Sequence, residues 1–97
     1  GEAATVEVQN GSLTAGLAAI VADYLRAQGV NVVLVGNADR SDYASTIITD
    51  YTGKPYTAKW LADTFHIPST NILSGNDPAS PVDVRIIIGA DFVLPTP

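Results

Sequence analysis

Thr5 to Gln9 reads Thr-Val-Glu-Val-Gln, a strict alternation that puts Val6 and Val8 on one face and Glu7 on the other, the period of a half-buried strand. Asn10-Gly11 interrupts it, and the apolar period then changes. Leu13, Leu17, Ile20, Val21, Tyr24 and Leu25 follow the three-and-four spacing of an amphipathic helix, with Ser12 or Thr14 as its cap. Gly29, suited to the left-handed residue that ends a helix, closes a helix of about 16 residues, roughly 24 Å long. Val30 to Val35 is β-branched and almost continuously apolar, as in a strand covered along most of its length. Asn37 to Ala44 is turn chemistry, and Ser45 to Thr52 resumes a β-rich pattern that is expected to pair antiparallel with the preceding strand as a hairpin.

Gly53-Lys54-Pro55 is a breaker followed by a helix start, and Pro68 forbids continuation past about Ile67. A second helix is therefore expected over residues 56–66. Residues 71–74 form a short strand, residues 75–81 a loop with two prolines, and Val84 to Gly89 the most hydrophobic strand, expected at the centre of the sheet. The order β-α-β-β-α-β-β predicts an α+β fold: two helices on one face of a mainly antiparallel sheet of four to five strands, a two-layer sandwich of the split β-α-β kind. A small mixed sheet with one helix on each face is the alternative. Residues 1–4 carry no pattern and are expected to be a disordered or tag-derived start. Residues 5–92 form one domain, and residues 93–97, ending Leu94-Pro95-Thr96-Pro97, read as the start of a Pro/Thr linker.

Composition narrows the function classes. Five basic residues against ten acidic ones give a net charge of −5, which opposes nucleic-acid binding, since that rests on clustered Lys and Arg. No apolar run approaches the roughly 20 residues of a membrane span, so this chain is not expected to insert into a bilayer. The absence of cysteine removes disulfides and thiolate chemistry together. His66 is the single histidine and the eight aspartates are dispersed, so neither a zinc set, a calcium loop nor a nucleophile with its base is signalled. No catalytic residue, metal site or cofactor is predicted. His66 is read as a cap for the carbonyls ending its helix.

Four blocks in order, Val6-Glu7-Val8-Gln9-Asn10-Gly11-Ser12, Gly16-Leu17-Ala18, Gly36-Asn37-Ala38-Asp39-Arg40 with Asp42-Tyr43 and Thr46, and Gly89-Ala90-Asp91-Phe92, resemble the LytR C-terminal domain, the accessory module of LytR-CpsA-Psr cell-envelope proteins. The resemblance covers about residues 5 to 92. It implies an extracytoplasmic bacterial domain without catalytic activity, tethered to the membrane through a segment outside this sequence. The family's label of transcriptional attenuator sits poorly with an acidic chain that has no basic recognition helix. The implied partner is wall glycan or glycopolymer, which the domain would bind or position. The alternative is a protein interaction module that docks on the catalytic domain, on other envelope proteins, or on a second copy as a homodimer.

The candidate binding residues are weighed against plainer roles. Asn10, before Gly11-Ser12, sits where backbone N–H groups could hold an anion, but neither dinucleotide nor Walker spacing surrounds it; a tight turn is the plainer reading. Arg40 and Tyr43 lie in the most polar stretch, where Asp39 and Asp42 would neutralise Arg40. Asp91 can hold a ligand or cap a turn. Tyr56 and Trp60 fall near the side opposite the inward stripe Ala58, Leu61, Ala62 and Phe65, and four residues apart they are expected to touch. Such a pair suits stacking on a sugar or a protein contact, unless the 68–81 loop folds back over it.

Overall fold

The computed structural model describes residues 2–95. The elements run β1 (Thr5–Asn10), α1 (Leu17–Ala27), β2 (Asn31–Asn37), β3 (Ile47–Asp50), α2 (Pro55–Phe65), a 3-10 turn (Ser69–Asn71), β4 (Ile72–Ser74) and β5 (Val84–Ile88), the order read from the sequence. Five strands form one sheet in the order β2-β1-β5-β3-β4, with β5 in the centre.

Both helices lie on one face. Val6, Val8, Val84, Ile86, Ile88 and Ile48, alternate residues of the three middle strands, are fully buried in one core with Val21 and Leu25 of α1 and Leu61 of α2. Tyr24 of α1 meets Phe65 of α2 with ring centroids 5.9 Å apart, and Phe65 meets Phe92 at 4.9 Å. Each fully buried Leu or Ile contributes about 1.5–3 kcal/mol.

The expected antiparallel sheet does not hold. β1 pairs in parallel with both β2 and β5, β3 pairs in parallel with β4, and only β3 and β5 run antiparallel. Two β-α-β units are therefore joined at β5, and the β2-β3 hairpin does not exist. Two strands stand between β2 and β3, a distance of about 14 Å at ~4.8 Å per strand. The segment from Ala38 to Thr46 is long enough to cross it, since each residue reaches up to about 3.3–3.6 Å.

Helix α1 starts at Leu17, later than expected, after Gly16 in a left-handed conformation with φ 77°. The Asn10 side chain accounts for the delay. Its Oδ1 accepts from Ser12 N (3.0 Å) and Ser12 Oγ (2.7 Å), and its Nδ2 donates to Thr14 O (2.8 Å), which holds residues 12–14 in a turn. Leu13, expected on the inner stripe, is 88% exposed, and Ile20 is also exposed.

Helix α2 is capped by distant carboxylates. Asp50 Oδ1 accepts from Gly53 N (3.0 Å) and Lys54 N (2.8 Å), Pro55 has no N–H to satisfy, and Glu2 accepts from Tyr56 N (3.1 Å), Thr57 N (2.7 Å) and Thr57 Oγ1 (2.8 Å). Together they serve the orphan donors of the first turn. Glu2 is thus tied to α2 and Ala4 is buried, so the expectation of a disordered start over residues 1–4 fails for Glu2–Ala4; Gly1 lies outside the described residues. Of the expected linker, Leu94 packs against the core, while Thr96 and Pro97 lie outside the described residues. The helix ends at His66, a left-handed residue with φ 56° whose backbone N–H donates to Ala62 O. His66 caps the helix through its backbone.

Candidate functional site

Three places on the surface hold the residues with chemistry to offer. The first is the end of the sheet where the parallel strands β2, β1 and β5 finish side by side and the 38–46 segment crosses them. Ala38 N donates to Asn10 O (3.0 Å), Tyr43 N to Gly11 O (3.0 Å), Ala90 N to Tyr43 O (2.8 Å) and Asp91 N to Ala44 O (3.3 Å). Below this crossing, Asp91 Oδ1 accepts from both Thr46 N and Thr46 Oγ1 (2.8 Å each), and Thr46 Oγ1 accepts from the buried Gly89 N (3.0 Å). A Cβ on Gly89 would collide with the Ser45 carbonyl group, so the two segments touch backbone to backbone. Asn10 and Thr46 are the two buried polar residues among the described residues.

Asn10, Tyr43 and Asp91 thus come together, but as parts of a clamp. Arg40 sits outside it: its Nη1 donates to Asp42 Oδ1 at 2.7 Å, and its guanidinium carbon lies 3.9 Å from the centre of the Tyr43 ring. The Tyr43 hydroxyl donates to Asp39 Oδ1 at 2.7 Å, which raises its pKa, and the Arg40 hydrogen bond lowers that of Asp42. Arg40 is neutralised within its own loop, which holds two carboxylates against one cation. An open crevice of about 600 Å³ separates Asn37 and Arg40 from Ser12 and Leu13.

The second place holds Tyr56 and Trp60, apart from the other candidates. They line a cavity of about 240 Å³ with Glu2, Ala3 and Gln28 to Asn31. Tyr56 is exposed, whereas Trp60 is half-buried and packs against the core. What flanks the pair is the start of the chain and the end of α1; the 68–81 loop takes no part in the cavity. The expected contact between the two rings is corrected too: among the described residues the aromatic pairs are Tyr24–Phe65 and Phe65–Phe92.

The third place is the face of the sheet opposite the helices. Strand alternation sends Glu7 and Gln9 of β1, Arg85 and Ile87 of β5, Ile47 and Thr49 of β3, and Leu73 of β4 to this side, and Tyr51 follows one step beyond β3. Register sets Glu7 beside Arg85 and Arg85 beside Thr49. Glu7 Oε1 accepts from Arg85 Nε at 2.7 Å and Glu7 Oε2 from Gln9 Nε2 at 3.2 Å. The Arg85 guanidinium carbon lies 5.3 Å from the Tyr51 ring centre. A polar row therefore crosses three strands, Gln9–Glu7–Arg85–Tyr51. The side chains of Glu7 and Arg85 are 13% and 28% exposed, so this ion pair is held more firmly than the surface pairs Arg26–Asp23 and Lys59–Asp63. Burial disfavours the charge on Arg85, yet the Glu7 carboxylate beside it leaves its pKa raised.

Two glycines shape the flanks of this face. A Cβ on Gly75 would collide with the Tyr51 ring at Cδ1, and one on Gly11 would stand 2.6 Å from Tyr43 Cδ1. Tyr51 and Tyr43 thus border the row at opposite ends. The alternation at Glu7 was readable in the sequence, but the convergence of Gln9, Arg85 and Tyr51 depends on β1, β5 and β3 being neighbours. Among the described residues no group of three or more His, Asp or Glu side chains gathers where it could hold a metal ion. Among the described residues no helix is long and apolar enough to cross a membrane.

No curated protein and no solved structure matches the chain. The model of one family does, over residues 3–92: LytR cell envelope-related transcriptional attenuator. That match spans nearly the whole chain, includes β1 through β5 and the clamp around Asn10, Thr46 and Asp91, and agrees with the four sequence blocks, so the chain belongs to the LytR C-terminal domain family.

Proposed function

We propose that this chain is a non-catalytic, extracytoplasmic accessory domain of a LytR-CpsA-Psr type envelope protein, which binds or positions cell-wall glycan. The observation that carries the reading is the bare face of the sheet. Both helices cover one side, and the other presents the Gln9–Glu7–Arg85 row with tyrosines at its ends. Amphipathic rings beside fixed hydrogen-bonding groups suit a polyhydroxyl chain. The polar groups near the crossing segment are occupied with one another, which argues against a reaction there. Four of the five basic side chains are paired with carboxylates, which argues against nucleic acid as a partner. Cosedimentation of the purified domain with isolated peptidoglycan tests the reading: retention at micromolar protein is expected, and full recovery in the supernatant would remove it.

A second reading, a dimerisation or docking module, is favoured by one observation. β2 is an edge strand of seven residues without a charged side chain, and Val33, Leu34 and Val35 are each more than 40% exposed, a template for strand addition. The register shift at Val33 and the Arg26 Nη2 bond to Val32 O (3.0 Å) protect its first half. Light scattering over a concentration series separates the two readings, since docking through a second copy requires a mass that rises with concentration.

A further inference from the structure

The bare face has a chemistry of its own that narrows what it can hold. Its single cation, Arg85, is neutralised by Glu7, and that carboxylate is in turn occupied by Gln9. The face is therefore close to neutral within a domain of net charge −5. A polyanion approaching it meets an overall repulsive field with no free cation on that face, among the described residues, to compensate. A polycation has no open carboxylate there to engage. What remains available is directional and uncharged. The Nη nitrogens of Arg85 have no protein acceptor among the described residues, and the Gln9 carbonyl oxygen is likewise without a donor there. Around them stand Ile47 and Ile87, both half-buried, and the Tyr51 ring.

Donors and an acceptor beside apolar side chains match an acetamide group, whose carbonyl takes an N–H while its methyl seeks apolar contact. The neighbouring ring offers a surface to the C–H side of a sugar. Resting on the glycan reading above, we propose that the face between Tyr51 and Tyr43 is a binding site for a neutral, N-acetylated polysaccharide strand. Arg85 and Gln9 engage its acetamido groups and Tyr51 stacks on a sugar ring. The site is flat. By register Tyr51 is level with Thr5 and Tyr43 with Gly11, six strand residues or roughly 20 Å apart along the sheet, enough for a short oligosaccharide lying across it. Gly75 is part of the site, because a Cβ there would push the Tyr51 ring from its place.

The test is a titration of the isotope-labelled domain with a tetramer of N-acetylglucosamine, followed by amide chemical shifts. The largest changes are expected at Glu7, Gln9, Thr49 and Arg85. Tyr51→Ala should weaken binding roughly five- to tenfold and Tyr51→Phe should change it little. Gln9→Ala, at a position that leaves the Arg85–Glu7 pair intact, provides a variant that does not depend on how well Tyr51→Ala folds, and should weaken binding severalfold. Shifts confined to the Tyr56–Trp60 cavity or to the crossing segment would overturn the site. Tighter binding of a glycerol-phosphate polymer at the same residues would overturn its neutral character. Retention on peptidoglycan that survives both Tyr51→Ala and Gln9→Ala would overturn the site and leave the glycan reading standing, whereas loss of retention by the unmodified domain would overturn both.

Discussion

Thr46→Val replaces a hydroxyl by a methyl of nearly the same shape at a position 1% exposed, and it isolates what the clamp is for. The substitution removes one hydrogen bond to a carboxylate, Thr46 Oγ1 to Asp91, and orphans the buried N–H of Gly89. A bond to a charged group is worth about 1.5–3 kcal/mol and a buried donor left without a partner costs about 1–3 kcal/mol. The two losses share one atom and do not simply add. A net cost of about 3 kcal/mol is expected, out of a total stability of about 5–15 kcal/mol for a chain of this size. Urea unfolding followed by the fluorescence of Trp60, the single tryptophan, reads it directly. The midpoint should fall at unchanged m, and the melting temperature should drop by roughly 12–24 °C at about 4–8 °C per kcal/mol.

Controls separate scaffold from site. Thr46→Ser keeps the hydroxyl and loses one methyl, for about 1 kcal/mol. Combining Thr46→Val with Asp91→Ala should cost less than the sum of the single changes by at least about 1 kcal/mol, because both break the same contact. A Thr46→Val protein within about 0.5 kcal/mol of the parent, the range of an ordinary surface change, would refute the reasoning, and Asp91 would return as a candidate for a ligand.

Other expectations follow from single positions. His66→Gly should stabilise the domain by about 1 kcal/mol in the same urea assay, since His66 holds φ 56° where glycine carries no Cβ penalty. Gly89→Ala should cost about 2–3 kcal/mol or more, because the added Cβ meets the Ser45 backbone; Leu13→Ser, at an 88% exposed residue, should stay within about 0.5 kcal/mol. The Asp83 carboxylate accepts from Thr52 Oγ1 and Thr5 N, which lowers its pKa below the ordinary 3.8. Its contribution is therefore present above about pH 4 and lost as the pH falls through the depressed value, so Asp83→Asn should flatten the acid limb of a stability-against-pH curve.

Local periods carry the elements well, because they depend on nearest neighbours along the chain. The switch from alternation at Val6 and Val8 to the helical spacing at Leu17, Val21 and Leu25 identifies β1 and α1, and the apolar run from Ile86 to Ile88 identifies the central strand. The direction of pairing is not legible in that way. Whether residues 38–46 turn back as a hairpin or cross two strands is decided by the register of β5 against β1 and β3, which is a long-range property. The start of α1 departs from expectation for a side-chain reason: Ser12 and Thr14 are good caps in general, but here Asn10 binds the Ser12 hydroxyl and the Thr14 backbone carbonyl. Tyr56 is exposed, as its spacing predicts, but Trp60 packs against the core, and Glu2 reaches α2 through contacts no sequence spacing announces. Arg85 stays hidden inside a hydrophobic run until its strand has neighbours.

The topology also explains why the recognisable motifs and the proposed site overlap only in part, at Glu7, Gln9 and Tyr43. Three parallel strands finishing at one edge create a position where open α/β sheets commonly bind ligands, beyond the carboxyl ends of the strands. In this chain the same edge must be crossed by the backbone on its way from β2 to β3. Asn10, Gly11, Tyr43, Thr46, Gly89 and Asp91 are needed to hold that crossing, and their polar groups are consumed in doing so. Helices on a single face then leave the opposite side of the sheet as a surface with fixed and partly unengaged groups. A domain built this way divides two roles between two sets of residues. The clamp residues keep the chain crossing in place, while the proposed site rests on Gln9, Arg85 and Tyr51, whose side chains take no part in the clamp.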